Sequence, residues 1–175
     1  NEQAFGVTAL DLTRGGGLVG AGNANRFRSR GFEVGADLSG AVAAGDFISF
    51  GFTSTEGFDL DGLSVRLRVN DNGPSQIQGQ ISVDGGAFVN VGGPQATSTT
   101  AATYGFDLSG FTDVDDFQFR VVGLDAAADN GRLILTNTGA LGGNSVLLVG
   151  EVPLPAAGGL LLLALSGAHL IRRRA

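Results

Sequence analysis

The sequence predicts an all-β chain: a jelly-roll-like antiparallel β-sandwich followed by a single C-terminal transmembrane helix. Three observations carry this. About ten short segments with period-two alternation recur at intervals of roughly 8–12 residues. Glycine is abundant, 30 of 175 residues, and gathers with Asp and Asn into turn-forming clusters. Finally, the alternation stops at Glu151 and gives way to two prolines, an unbroken apolar run and three arginines.

Taken in order, residues 4–12 form a β-prone run, and the glycine-rich stretch 15–22 reads as loop. Residues 26–34 alternate loosely, with Phe27, Phe32 and Val34 as candidates for burial. Residues 35–46 are small and polar enough to serve as a connection. A strand over 47–53 places Ile48, Phe50 and Phe52 on one face. The cleanest alternation is 62–70, where Leu63, Val65, Leu67 and Val69 oppose Ser64, Arg66, Arg68 and Asn70. Such a pattern predicts an antiparallel strand with its core on one side and water on the other. The cluster Asp71-Asn72-Gly73-Pro74 is a turn by its chemistry.

Residues 76–83 alternate again, Ile77, Ile81 and Val83 against Gln78, Gln80 and Ser82. Asp84-Gly85-Gly86 then predicts a hairpin into 87–91. A threonine-rich loop follows over 92–102. Strands are expected at 103–108 and 117–124, separated by Asp113-Val114-Asp115-Asp116. Asp129-Asn130-Gly131 reads as a hairpin turn into a strand at 132–138, and 145–150 is the last strand. The expected division is a body over 1–150 and a tail over 151–175.

The tail has three parts. A proline hinge (151–155) must be extended, because proline fixes φ and pushes its predecessor out of the α region. An apolar helix is expected over 156–171, where Ser166 and His169 are the polar side chains. Its length of roughly 24 Å falls short of the hydrocarbon thickness of about 30 Å, so bilayer thinning or arginine snorkelling would cover the difference. Arg172, Arg173 and Arg174 place that end in the cytoplasm by the positive-inside bias. A buried core helix is the competing reading, but Leu160–Leu163 leave no polar stripe on the helix. A permanent tail anchor is a second alternative. A lipid-anchor signal lacks its polar spacer here.

The segment Val152-Pro153-Leu154-Pro155-Ala156, the apolar run and the arginine cluster together resemble a PEP-CTERM-type sorting signal in its VPLPA variant. The resemblance covers the last 24 or so residues and departs from the parent family in having Val-Pro-Leu-Pro for Pro-Glu-Pro. It implies export from a Gram-negative bacterium. The chain would be held transiently in the inner membrane, its body in the periplasm and its helix in the lipid bilayer. A membrane-embedded exosortase, acting as protease or transpeptidase, would then pass it to the cell surface or extracellular matrix. The chain contains no Met and starts at Asn1, so an export signal is expected ahead of it.

Composition narrows the chemistry. With no Cys there is no disulfide and no thiolate site. His169 is the only histidine and belongs to the tail, so the body has no imidazole base for a Ser-His system. The chain carries −6 overall; removing Glu151 and three arginines leaves 8 basic and 16 acidic residues, or −8, for the body. That balance argues against nucleic acid. Glu56, Asp59 and Asp61 fall at an expected loop edge, but the spacing Glu56-x-x-Asp59-x-Asp61 with no second Glu does not make a glycosidase array.

Calcium suits Asp59 and Asp61, and Asp113, Asp115 and Asp116, because alternate loop carboxylates offer the oxygens it takes, although neither set forms a twelve-residue loop. No other cofactor is expected. Sugar binding would normally use Trp or Tyr platforms, and here only Tyr104 is available. The function expected is therefore that of a non-enzymatic exported surface protein. The alternative is a carbohydrate-binding or adhesive module with calcium-assisted loops and extracellular polysaccharide as its partner.

Overall fold

A computed structural model describes residues 7–22, 27–137, 141–142 and 144–152. Residues 153–155 of the expected hinge (151–155), the helix over 156–171 and Arg172–Arg174 lie outside the described residues. Among the described residues no helix is long and apolar enough to cross a membrane.

The strands are β1 (Val7–Arg14), β2 (Val19–Gly20), β3 (Arg28–Arg30), β4 (Phe47–Val69), β5 (Pro74–Val83), β6 (Val89–Ala96), β7 (Ala102–Asp107), β8 (Val114–Ala126), β9 (Arg132–Leu135) and β10 (Val146–Glu151). Their ladders are antiparallel, with one isolated parallel bridge between Val34 and Ala126. They build two sheets. Sheet I runs β1-β4-β8-β5-β6. Sheet II has β7 on one edge of β4, and β10 and β9 on the other, with β3 and β2 beyond β9.

Strand β4 belongs to both. Its 23 residues would extend about 75 Å if straight, so it must bend to stay within one domain. It pairs with β1 through Ser54, with β8 through Thr53 and once more at Phe58, and with β10, β7 and β9 from residue 59 onward. The corner lies where the β4–β8 register slips between Thr53 and Phe58. There Ser54 Oγ donates to the Glu56 carbonyl and accepts from the Glu56 amide. A local hydroxyl bond of this kind offers the backbone an alternative to the ladder.

The sandwich expectation is met, with corrections. Glu56, Asp59 and Asp61 lie within β4 and not on a loop. The turn Asp129-Asn130-Gly131 does not close a hairpin: β8 pairs in sheet I and β9 in sheet II, so the chain crosses between layers there. Asp71–Pro74 is another crossing, and Asn72 Nδ2 donates to Asn130 Oδ1 at 2.8 Å, tying the two together. Val34 is exposed rather than buried. The loop expected over 92–102 begins as strand, since β6 reaches Ala96.

Residues 35–46 hold a helix, α1 (Leu38–Ala44), where only a connection was expected. Two turns of Ala, Gly and Val present no large apolar periodicity. Its caps are nonetheless written in the sequence: the Asp37 carboxylate accepts the Gly40 amide at 2.8 Å, and Gly45 closes the helix at φ 81°. Ala41, fully buried, packs α1 against Val122 and Leu124 of β8.

Between the sheets lie Ile48 and Phe52 of β4, Ile77 and Ile81 of β5, Phe117, Phe119 and Val121 of β8, and from the other layer Leu63, Val65, Leu67, Phe106 and Leu133. Phe106 of β7 reaches across to Phe119, ring centroids 5.0 Å apart. It enters over Gly79 of β5, where a Cβ would overlap the Phe106 ring and stand 2.7 Å from Phe119 Cζ. Gly79→Ala is therefore expected to lower stability by about 1–3 kcal/mol, the usual cost of overpacking a core, measured by denaturant unfolding. An unchanged midpoint would contradict this packing.

Candidate ligand-binding face

Alternation puts Phe47, Ser49 and Gly51 of β4 on the side of sheet I away from the core. Register then builds a row across all five strands. Ser49 stands beside Thr13 of β1 and Arg120 of β8, Arg120 beside Gln80 of β5, and Gln80 beside Asn90 of β6. The row is bonded laterally. Thr13 Oγ1 and Ser49 Oγ are 2.8 Å apart. Arg120 Nε donates to Gln80 Oε1 at 2.7 Å, and Gln80 Nε2 donates to Asn90 Oδ1 at 2.7 Å. The guanidinium also lies 4.0 Å from the centroid of Phe88 and 4.9 Å from that of Phe47, within cation–π range. Burial holds the Arg120 pKa below its ordinary value, and the group stays protonated.

Beside this row is a shallow groove of about 220 Å³ lined by Leu10, Asp11, Thr13, Ser49, Phe50 and Gln118. Two features open it: the β1–β4 register slips between Leu10 and Thr13, and Gly51, paired with both Leu10 and Gln118, carries no side chain. Hydroxyl, amide, carboxylate and guanidinium groups thus converge on one flat face, a set that can both donate to and accept from hydroxyl groups.

Sequence reasoning passed over this face because Gln78, Gln80 and Ser82 read as solvent-exposed partners of a buried isoleucine row. They are buried instead, Gln78 at 1 % exposure. Gln78 Nε2 donates to the carbonyls of Gly79, Val91 and Gly92, and Ser82 Oγ to that of Gly86. Three polar residues alternating with isoleucine on a strand paired on both sides were the available signal. Which partners would cover them was not.

The five predicted calcium ligands do not converge. Asp59 Oδ1 accepts the Asp113 amide at 2.9 Å, while Asp84 Oδ1 accepts the amides of Asp115 and Asp116, both at 2.9 Å. Asp61 accepts the Leu108 amide through its backbone carbonyl at 3.0 Å. Asp59 and Asp84 thus serve as local backbone acceptors at the corner and at the β5–β6 turn. Among the described residues no three His, Cys, Asp or Glu group as a metal site. Tyr104, the one candidate for stacking on a sugar, is 5 % exposed and packed in the core.

Next to Phe47, Asp46 is 1 % exposed. Its Oδ2 accepts the Glu33 amide at 2.6 Å, and its Oδ1 has no partner among the described residues. Burial raises its pKa, the Glu33 charge adds to this, and the Glu33 amide opposes it. A raised pKa means that the folded state favours the protonated acid. The contribution is complete below the ordinary value of 3.8 and is lost as pH rises through the folded pKa.

No family model matches the chain, and no curated protein does. Among solved structures, a family 29 carbohydrate-binding module aligns over 73 % of this chain and 86 % of its own, at 13 % identity and TM-score 0.43. A variant of that module complexed with mannohexaose aligns over 73 % and 85 %, at 13 % identity and TM-score 0.43. A β-(1,4)-mannanase of Podospora anserina that includes a carbohydrate-binding module aligns over 86 % of this chain and 29 % of its own, at 17 % identity and TM-score 0.43. These are likenesses of general shape at low identity, and the chemistry of the face rests on its own side chains.

Asp46→Asn is expected to raise the melting temperature above the folded pKa and to leave it unchanged at pH values below about 3.8. A melting curve series across pH checks this; a gain of equal size at every pH would contradict it.

Proposed function

We propose that this is a non-catalytic, exported surface protein whose sandwich, a jelly-roll variant, binds extracellular polysaccharide on the outer face of sheet I. One observation carries the reading. The row Thr13–Ser49–Arg120–Gln80–Asn90 and the adjoining Gln118 groove place hydrogen-bonding side chains in register across five strands. Sugar hydroxyls present paired donors and acceptors, and amides answer both.

The face lacks an exposed Tyr or Trp platform, and its Phe47 and Phe88 rings are faced by Arg120. Binding therefore draws on hydrogen bonds worth about 0.5–1.5 kcal/mol each. An extended polymer that repeats the contact suits such a face better than a small molecule. A glycan hydrolase is disfavoured because Glu56-x-x-Asp59-x-Asp61 has no second Glu to complete an array and the Asp59 carboxylate accepts the Asp113 amide.

The same proposal gives the tail a role. Val152–Ala156 and the arginines at 172–174 read as an exosortase-type sorting signal, which would deliver the sandwich to the polysaccharide it binds. The support here is the sequence motif itself.

Two outcomes are expected. In affinity electrophoresis against a panel of polysaccharides the chain is retarded by at least one. Gln118→Ala, at an exposed position in the groove, weakens that retention by roughly 3–10-fold. No retardation on any polymer would overturn the binding reading. Intact-mass measurement of secreted material is expected to show a chain lacking Arg172–Arg174; material still carrying Arg174 would overturn the sorting reading.

A further inference from the structure

Arg120 is the cation at the centre of this face, and its surroundings engage the plane and the Nε of its guanidinium but not its two terminal amino groups. Phe47 and Phe88 lie near its guanidinium at 4.9 and 4.0 Å, and Nε is committed to Gln80 at 2.7 Å. That is the one hydrogen bond the guanidinium makes among the described residues. Gln80 is itself fixed by Asn90, so the fork is held rigid with its two terminal amino groups uncommitted. Its hydrogen-bond partner is a neutral amide, and the group is half-buried. A partly desolvated charge with two parallel N–H donors at a fixed edge is the arrangement that takes a planar carboxylate in a bidentate grip.

Resting on the polysaccharide reading above, we infer that the polymer is an acidic one, a uronate-containing polysaccharide whose carboxylate is taken by Arg120. Neutral hydroxyl-bearing residues of the same polymer would lie over the groove. The other charged groups on this face fit that order. Asp11 lines the groove, where it accepts from hydroxyl groups. Asp116, four residues from Arg120 along β8, is roughly 13 Å away. The body as a whole carries −8 (8 basic against 16 acidic residues before Glu151). Its general field therefore repels polyanions, and a preference for one must come from a local cation.

The test compares the full chain on three immobilised polymers: polygalacturonate, the same polymer after its carboxyls are reduced to alcohols, and a neutral glucan. At low salt, binding to polygalacturonate is expected to exceed binding to its reduced form by at least about 10-fold and to fall as salt is raised, while binding to the reduced form is insensitive to salt. Arg120→Gln is expected to abolish the preference; Arg120→Lys, which keeps the charge and loses the fork, retains only part of it.

Equal binding of the acidic and reduced polymers overturns this inference and leaves the polysaccharide reading standing, whereas binding to none of the polymers overturns both. Should Arg120→Gln fail to fold, the salt dependence of the parent decides: a preference insensitive to salt overturns the assignment.

Discussion

Strand β4 must serve two sheets at once, and the rest of the molecule follows from that. Because it bends from sheet I into sheet II between Thr53 and Phe58, the two layers are joined covalently at one corner and must close on each other across it. The Phe52–Phe58 and Phe52–Phe117 pairs fill the angle, with centroids 5.4 and 5.1 Å apart. The polar groups that the bend frees are satisfied locally: Asp59 takes the Asp113 amide, and the Leu60 amide donates to the Phe111 carbonyl at 2.9 Å. Left unpaired, a buried amide such as that of Leu60 would cost about 1–3 kcal/mol. Of the acidic residues that first suggest calcium, Asp59 thus has a structural occupation.

Closing the layers decides where function can sit. The inner faces are spent on aromatic and aliphatic packing, so ligand chemistry is confined to the outer faces. On sheet I one end of the outer face is capped by α1 over Val122 and Leu124. The other carries the open groove beneath the β1 irregularity. Between them Arg120, Gln80 and Asn90 form a bonded line. Lateral hydrogen bonds of this kind leave the groups pre-oriented, which reduces the side-chain entropy lost when a ligand settles on them.

The strands were legible wherever one face is apolar and the other polar. Leu63, Val65, Leu67 and Val69 against Ser64, Arg66 and Arg68 required no structure to read. The reading failed where both faces are covered, as at Gln78 and Gln80, since alternation cannot tell a polar residue in water from one bonded beneath a neighbour. It failed again at Asp129–Gly131, because turn chemistry fixes the reversal of the chain and not which sheet it enters. Helix α1 was hidden by its brevity, with Asp37 and Gly45 as its only signature.

The sequence by itself determined the fold class, the period-two core and the absence of a catalytic imidazole from the body, because these depend on residue type and local spacing. It also carried the Val152–Ala156 motif, which is a matter of order along the chain. Only the tertiary structure decided that Thr13, Ser49, Arg120, Gln80 and Asn90 share one row, and that Asp59 and Asp113 meet at a corner. Those residues come from strands far apart in sequence. Their adjacency is set by sheet register, which long-range packing selects.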